Sequence, residues 1–397
     1  MTHPARPRIV WLLAGEASGD ILGARLMEAL SRLDHNMMFV GVGGAQMEAL
    51  GLHSLFPMQD LSIMGLAEIL PRIRKLSARL DEAVNDITLR KPDVIVTIDS
   101  PGFALRLLKR IKHLGIPRLH YVGPQVWAWR ESRAKSFPQL WDRLLCLLPF
   151  EQGWFKERGI PATFVGHPVI QSGADTGDGA HFRRRHGIAD HVPIIVLLPG
   201  SRKSEVPRLL PIYGRMVAIL KACFGEIYPV IPTSPLMQGV VRHATAKWAE
   251  PPRIIVDMHD KFDAFAAAGV AMTKSGTSTL ELALAGTPMV VAYRVHALTA
   301  YFARRMIKVP FVAMVNLLAG REIVPELLQE KCTPENLASA VTQLLTDPDA
   351  RAAQKTAFID IMSQLHAPDR DGAPATPAEA VAYEVMALLR PSENVTP

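Results

Sequence analysis

Two stretches place charged side chains where an apolar run gives out, and both could handle phosphate. In IIVLLPGSRKSEVPRLLP, Ile194 to Pro211, the run ends at Gly200, Ser201 and Arg202, and Glu205 follows before a helix resumes. Main-chain N–H groups at a helix start, together with an arginine fork, suit an anion, and Glu205 would cap the helix or orient Arg202. An arginine held in a surface ion pair is the plain alternative. TKSGTSTLELALAGTP repeats the arrangement, with Ser275, Gly276 and Thr277 opening a helix. Glu281, one turn inside, would repel phosphate and is better placed for ribose hydroxyls. Two such helix starts in one half of the chain point to a nucleoside diphosphate.

A base for a bound hydroxyl would have to come from elsewhere. DVIVTID ends in Asp99, followed by Ser100, Pro101, Gly102 and Phe103. A carboxylate at the mouth of a buried strand can take a proton from an alcohol, or it can cap the next helix. GEASGD supplies Glu16, Ser18, Gly19 and Asp20 before a helix expected near Ile21; Ser18 and Asp20 are candidate caps, and the glycines let backbone approach a ligand. HYVGPQVWAWR brings His120, Gln125 and Trp127 together in a loop suited to sugar rings or acyl chains, although tryptophans serve equally well in a core.

Other chemistries find less support. VGVGGAQM has Gly41 and Gly43, but Gln46 stands where a dinucleotide fingerprint needs its third glycine, and there is no GxxxxGK[ST]. The 13 histidines show no metal-ligand spacing, so no metal and no cofactor is expected, and His167 before Pro168 reads as structural. With 44 Lys and Arg against 38 Asp and Glu the net charge is +6, spread over helices, which favours small anions or a membrane surface over nucleic acid. Cys146, Cys223 and Cys332 lie far apart and read as buried thiols of a reducing compartment.

These residues need a scaffold. Short apolar runs, among them IVWLLAG, MMFVGVGG, DVIVTID, RLHYVG and RLLCLLP, alternate with helical periods in the rhythm of a parallel sheet. The first of them stops at Glu16, too early for a signal peptide, and reads as a strand. A polar stretch at 171–190 precedes a second series, PIIVLLPG, IYPVIPTS, RIIVDM, GVAMTKS and PMVVAYR. Two doubly wound α/β domains follow, over 1–170 and 171–375, with a helix at about 376–390 free to return to the first. No run reaches the ~18 apolar residues of a membrane span. LSIMGLAEILPRIRKLSARL is basic and amphipathic: Met64, Leu66, Ile69, Leu70 and Ile73 form an apolar stripe, and Arg72, Arg74 and Lys75 carry charge. It suits either the face of a sheet or anionic lipid heads.

Together AGEASGD, SIMGLAEIL, HYVGPQVWAWR, LPFEQGWF, FVGHP, LLPGSRKSEV, SGTSTLELALAGTPMVV and VNLLAGREIVPELLQ resemble lipid-A-disaccharide synthase, over roughly Ile9 to Leu345. That resemblance implies a GT-B type fold, two Rossmann-like domains facing a central cleft. It implies an inverting transfer, without a metal, of 2,3-diacylglucosamine from UDP to the 6-hydroxyl of 2,3-diacylglucosamine 1-phosphate, giving a β(1→6) disaccharide. It further implies a place on the cytoplasmic face of the Gram-negative inner membrane and a donor contact from Asn316, a residue that could otherwise be a turn amide. Asp99 becomes the base and Arg202 the catalytic cation. Gly102 departs from the family's polar residue there. A homodimer is left open, and a UDP-sugar 2-epimerase or a membrane-docked nucleotide-binding module are the competing readings.

Overall fold

The computed structural model describes residues 6–61, 73–200, 205–296, 300, 305–306, 308–369 and 372–389. The chain divides into two compact units, 1–168 with 365–397, and 169–364.

Unit 1 is built on seven parallel strands: β1 (Arg8–Ala14), β2 (Met37–Val42), β3 (His53–Ser54), β4 (Val94–Ile98), β5 (Arg118–Tyr121), β6 (Arg143–Cys146) and β7 (Ala162–Phe164). Their order is β3-β2-β1-β4-β5-β6-β7. The apolar runs in β1 and β4 are buried along both faces, as helices on either side of a parallel sheet require. Because the winding reverses between β1 and β4, the turns after these two strands open a crevice at the sheet's carboxyl edge. The two-residue β3 is too short to show a sequence period.

Unit 2 repeats the plan in six strands: β8 (Ile194–Leu198), β9 (Tyr228–Pro232), β10 (Arg253–Ile255), β11 (Val270–Thr273), β12 (Met289–Tyr293) and β13 (Glu326–Leu328). The order is β10-β9-β8-β11-β12-β13, with its reversal between β8 and β11. β13 is half-buried throughout and carries a glutamate, so it lacks the apolar signature of its neighbours.

The C-terminal helix Pro377–Leu389 buries Ala378, Val381, Ala382 and Val385 in the core of unit 1. The chain returns through a tight crossing: a Cβ on Gly166 would lie 2.6 Å from the Ala367 nitrogen, and His167 donates its N–H to the Leu365 carbonyl at 2.8 Å. Of the cysteines, Cys146 and Cys332 are buried, whereas Cys223 is exposed at the end of a helix, contrary to the sequence expectation.

The first helix runs from Ala17 to Leu33, four residues earlier than expected, and neither Ser18 nor Asp20 caps it. Asp20 is buried and faces the neighbouring turn. Its carboxylate accepts the N–H groups of Gly44, Gln46 and Met47 at 2.8, 3.0 and 3.1 Å, satisfying the start of the short helix Ala45–Glu48. One carboxylate therefore ties the turns after β1 and β2 together. Asp20→Ala orphans two buried donors and one part-buried donor and is expected to destabilise unit 1 by about 3 kcal/mol. Urea unfolding should show a lower midpoint with an unchanged slope.

Candidate functional site at the two strand reversals

At the carboxyl end of β4 the backbone turns abnormally. Asp99 and Ser100 both have positive φ, 51° and 47°, and Val122, just past β5, has φ 80°. A β-branched residue in that region is a true outlier, and two consecutive left-handed non-glycine residues are costly. Sheet bonding holds them there: Asp99 donates its N–H to the Tyr121 carbonyl at 2.9 Å, and Val122 and Gly123 both donate to Leu145 at 3.1 Å. Next door, Gly15 must lack a side chain, because a Cβ there would collide with Ser100 Oγ and lie 2.8 Å from Ser100 Cβ.

The turn thus presents Asp99, half-buried, beside the start of the helix Ala17–Leu33, where half-buried Glu16, exposed Ser18 and buried Gly19 lie. Asp99 does not cap the following helix, whose cap position is Ser100. Burial lifts its carboxyl above the ordinary aspartate range, with the Ser100 N–H opposing the shift. A Cβ on Gly102 meets nothing within 4 Å, so the polar residue expected at that place has room but is not supplied by this chain.

The neighbouring loop differs from expectation. His120 is wholly buried within the sheet, bonded through Nδ1 to Thr97 Oγ1 at 2.7 Å and stacked on Trp141 at 5.3 Å between centroids. Burial drives its pKa down to about 4, so it is a neutral core histidine that no sugar touches in this conformation. Trp127 is also buried, donating Nε1 to Glu151 Oε1 at 2.9 Å. The exposed aromatic of this loop is Trp129, with the Arg130 guanidinium 4.2 Å from its ring centre, and Gln125 is exposed as well. The turn after β5 dives into the sheet before it emerges, an excursion that side-chain types alone do not reveal.

Glu151 was not singled out by sequence, yet it anchors this loop. It is buried, and besides Trp127 it accepts the N–H groups of Leu147 and Leu148 at 3.1 Å. Burial pushes its pKa up to about 7, against three donors that favour the ionised form.

In unit 2 the reversal between β8 and β11 carries an ion pair. Lys274 Nζ binds Glu205 Oε1 at 2.8 Å, and both groups are largely withdrawn from solvent. Glu205 neither caps its helix through its side chain nor stands apart from the preceding turn: a Cβ on Gly200, at φ 111°, would run into its carboxylate. Ser201 and Arg202 lie outside the described residues.

After β11, Gly276 adopts φ 139°, where a Cβ would come no nearer than 4.0 Å to Lys274 Cε, Thr277 is exposed, and no side chain caps the helix Ser278–Leu284. Ser275 Oγ donates to the Val312 carbonyl. Glu281 has both carboxylate oxygens bound by Lys261 Nζ, at 2.9 and 2.8 Å.

Asn316 is wholly buried and fully engaged. Its amide nitrogen donates to the Val324 carbonyl and Glu326 Oε1, and its oxygen accepts from Ile323 and Val324. It is the turn amide rather than a donor contact. Glu326 in turn accepts the N–H groups of Val312 and Ala313, so Asn316 fixes the segment against which Ser275 bonds.

Of the amphipathic stretch, Met64, Leu66, Ile69, Leu70 and Arg72 lie outside the described residues. Ile73 is 50% exposed and Arg74 exposed, but Lys75 is spent in a 2.5 Å ion pair with Asp60. No helix among the described residues is long and apolar enough to cross a membrane.

Comparison with known proteins settles the class of chemistry. A family model described as lipid-A-disaccharide synthetase matches residues 10–381. Lipid-A-disaccharide synthase of Gluconobacter oxydans is 59% identical over 386 residues, covering 97% of this chain and 92% of the relative. That of Granulibacter bethesdensis is 54% identical over 395 residues, covering 98% and 100%. Two solved structures share the fold alone: Acinetobacter baumannii MurG, at TM-score 0.56 and 14% identity over 96% and 100% of the two chains, and UDP-GlcNAc 2-epimerase from Neisseria meningitidis, at 0.57 and 11% over 96% and 97%.

Glu151 yields a test. An acid whose folded pKa exceeds its unfolded value stabilises most below the unfolded value, and that contribution is lost as pH rises through the folded one. The stability of the wild type relative to Glu151→Gln should therefore fall between about pH 4.5 and 7 and flatten above, as read by denaturant titration at each pH.

Proposed function

The chain belongs to the lipid-A-disaccharide synthase family and is a glycosyltransferase of lipid A synthesis, and within that activity we propose that Asp99 is the catalytic base. The observation that carries this is the strained, half-buried turn holding Asp99 at the strand reversal of unit 1. A carboxylate whose proton affinity is raised by burial is a better base than a solvated one.

The acceptor is 2,3-diacylglucosamine 1-phosphate and the donor UDP-2,3-diacylglucosamine. Asp99 takes the proton of the acceptor's 6-hydroxyl as that oxygen's electron pair attacks the donor's anomeric carbon. The bond from that carbon to the diphosphate breaks on the opposite side, and its electrons leave with UDP. One displacement inverts the centre and gives the β(1→6) disaccharide 1-phosphate.

Negative charge on the departing diphosphate is met by Arg202 and by main-chain N–H groups around Ser275, Gly276 and Thr277, the arrangement that stabilises developing charge without reorganisation. Gly200 lets the turn close over Glu205, whose ion pair with Lys274 ties the turns after β8 and β11 together. Glu281 is the candidate for the ribose hydroxyls, oriented by Lys261. Glu16, Ser18 and Gly19 border Asp99 on the donor side, and Gln125 serves the sugar region.

Acylated substrates bring the enzyme to the cytoplasmic surface of the inner membrane, with the apolar residues Met64, Leu66, Ile69, Leu70 and Ile73 and the basic residues Arg72, Arg74 and Lys75 as the sequence's membrane-facing candidates; of these Ile73 and Arg74 are exposed.

Asp99→Asn should lower kcat roughly 100- to 10,000-fold while leaving the Kd for UDP within about twofold. Mass spectrometry of products from the two diacylated substrates, with calorimetry of UDP binding, measures both. A fully active variant removes Asp99 as the base.

A further inference from the structure

Unit 2 contains a cleft of about 330 Å³ lined by none of the residues assigned above. Three arginines converge on it. Arg208 and Arg215 lie seven residues apart on the helix Val206–Phe224, a spacing that falls within about 20° of two full turns and sets them on one stripe about 10 Å apart. Arg294 enters from the chain just past the carboxyl end of β12, and His296 lines the same opening. Ile212 and Pro334 supply apolar walls.

The cleft brings three guanidinium groups to one opening. Elsewhere Arg79, Arg90, Arg110 and Arg158 each sit in an ion pair with a carboxylate. Among the described residues, no carboxylate pairs with Arg208, Arg215 or Arg294, although all three are exposed and share one cavity. Like charges gathered without an internal counterion repel one another, and an anion held among them removes that cost. Guanidinium forks match phosphate oxygens two at a time. The volume falls at the lower end of the ~300–1,000 Å³ typical of small-molecule sites.

We propose that this cleft binds a phosphate group on a small organic framework, at a site separate from the residues assigned to the leaving diphosphate. The phosphate can arrive on a soluble sugar phosphate or on a lipid headgroup, and the apolar walls accommodate the carbon framework of either. The inference does not depend on the assignment of Asp99.

The test keeps UDP saturating, so that phosphate sites at the strand reversal are filled. Calorimetry with glucosamine 1-phosphate, and cosedimentation with phosphatidylcholine vesicles containing phosphatidylglycerol, are run on the wild type and on the double variant Arg215→Gln/Arg294→Gln. The expected result is saturable binding of at least one probe that weakens tenfold or more in the double variant. An unchanged Kd for UDP shows that the variant is folded. Loss confined to the sugar phosphate assigns a soluble ligand, and loss confined to the vesicles assigns a headgroup; both support the site. If neither probe binds, or if the double variant binds both as well as the wild type, the proposal is overturned.

Discussion

The bareness of residue 15 is the constraint on which the first unit's site rests. Ser100 occupies the space a side chain there would fill, and that lets β4 leave the sheet through two left-handed residues instead of running straight into its helix. Such a turn costs on the order of 1–3 kcal/mol for each strained residue, and it persists because the surrounding bonds over-determine it. The Asp99 N–H is fixed to Tyr121, Val122 and Gly123 are fixed to Leu145, and Asp20 ties the turns after β1 and β2 together. The result is a carboxylate held at the mouth of the sheet with its proton affinity raised by burial.

The second unit has the same reversal of winding. Around the ends of β8 and β11 it places the Lys274–Glu205 ion pair and the uncapped start of the helix Ser278–Leu284. Behind that helix start, Asn316 and Glu326 clamp the segment at 312–313, to which Ser275 is bonded. This explains why the amide in VNLLAGRE need not touch a substrate to matter. It holds a wall in place through Glu326, and a polar residue at zero exposure with four internal bonds has no capacity left for a ligand.

Much of this was legible in the sequence because parallel strands buried on both faces write continuous apolar runs, and the residues that end them fall at the carboxyl edge by geometry. Asp99, Gly200 and Gly276 were found that way. What was hidden depends on direction rather than type. His120 and Trp127 have the chemistry of a sugar site but point into the sheet and at Glu151, and nothing in HYVGPQVWAWR distinguishes them from exposed Trp129. Asp20 reads as a cap for its own helix and serves another, because the contact spans 24 residues or more. β13 escaped notice for want of an apolar pattern, and Lys274 because its partner lies 69 residues away.

The most direct test of the central claim is a double-mutant cycle on residues 15 and 100, read as single-turnover rates of disaccharide formation. Gly15→Ala should lower the rate at least 100-fold by displacing the turn that holds Asp99, with UDP affinity unchanged. Adding Ser100→Gly removes both atoms that the new methyl group meets first and leaves Leu61 Cβ as its nearest neighbour, at an ordinary 3.5 Å. The account predicts that the double variant recovers most of the rate. If Gly15→Ala is as active as the wild type, or if the two substitutions act independently, the turn does not position the base and the account is wrong.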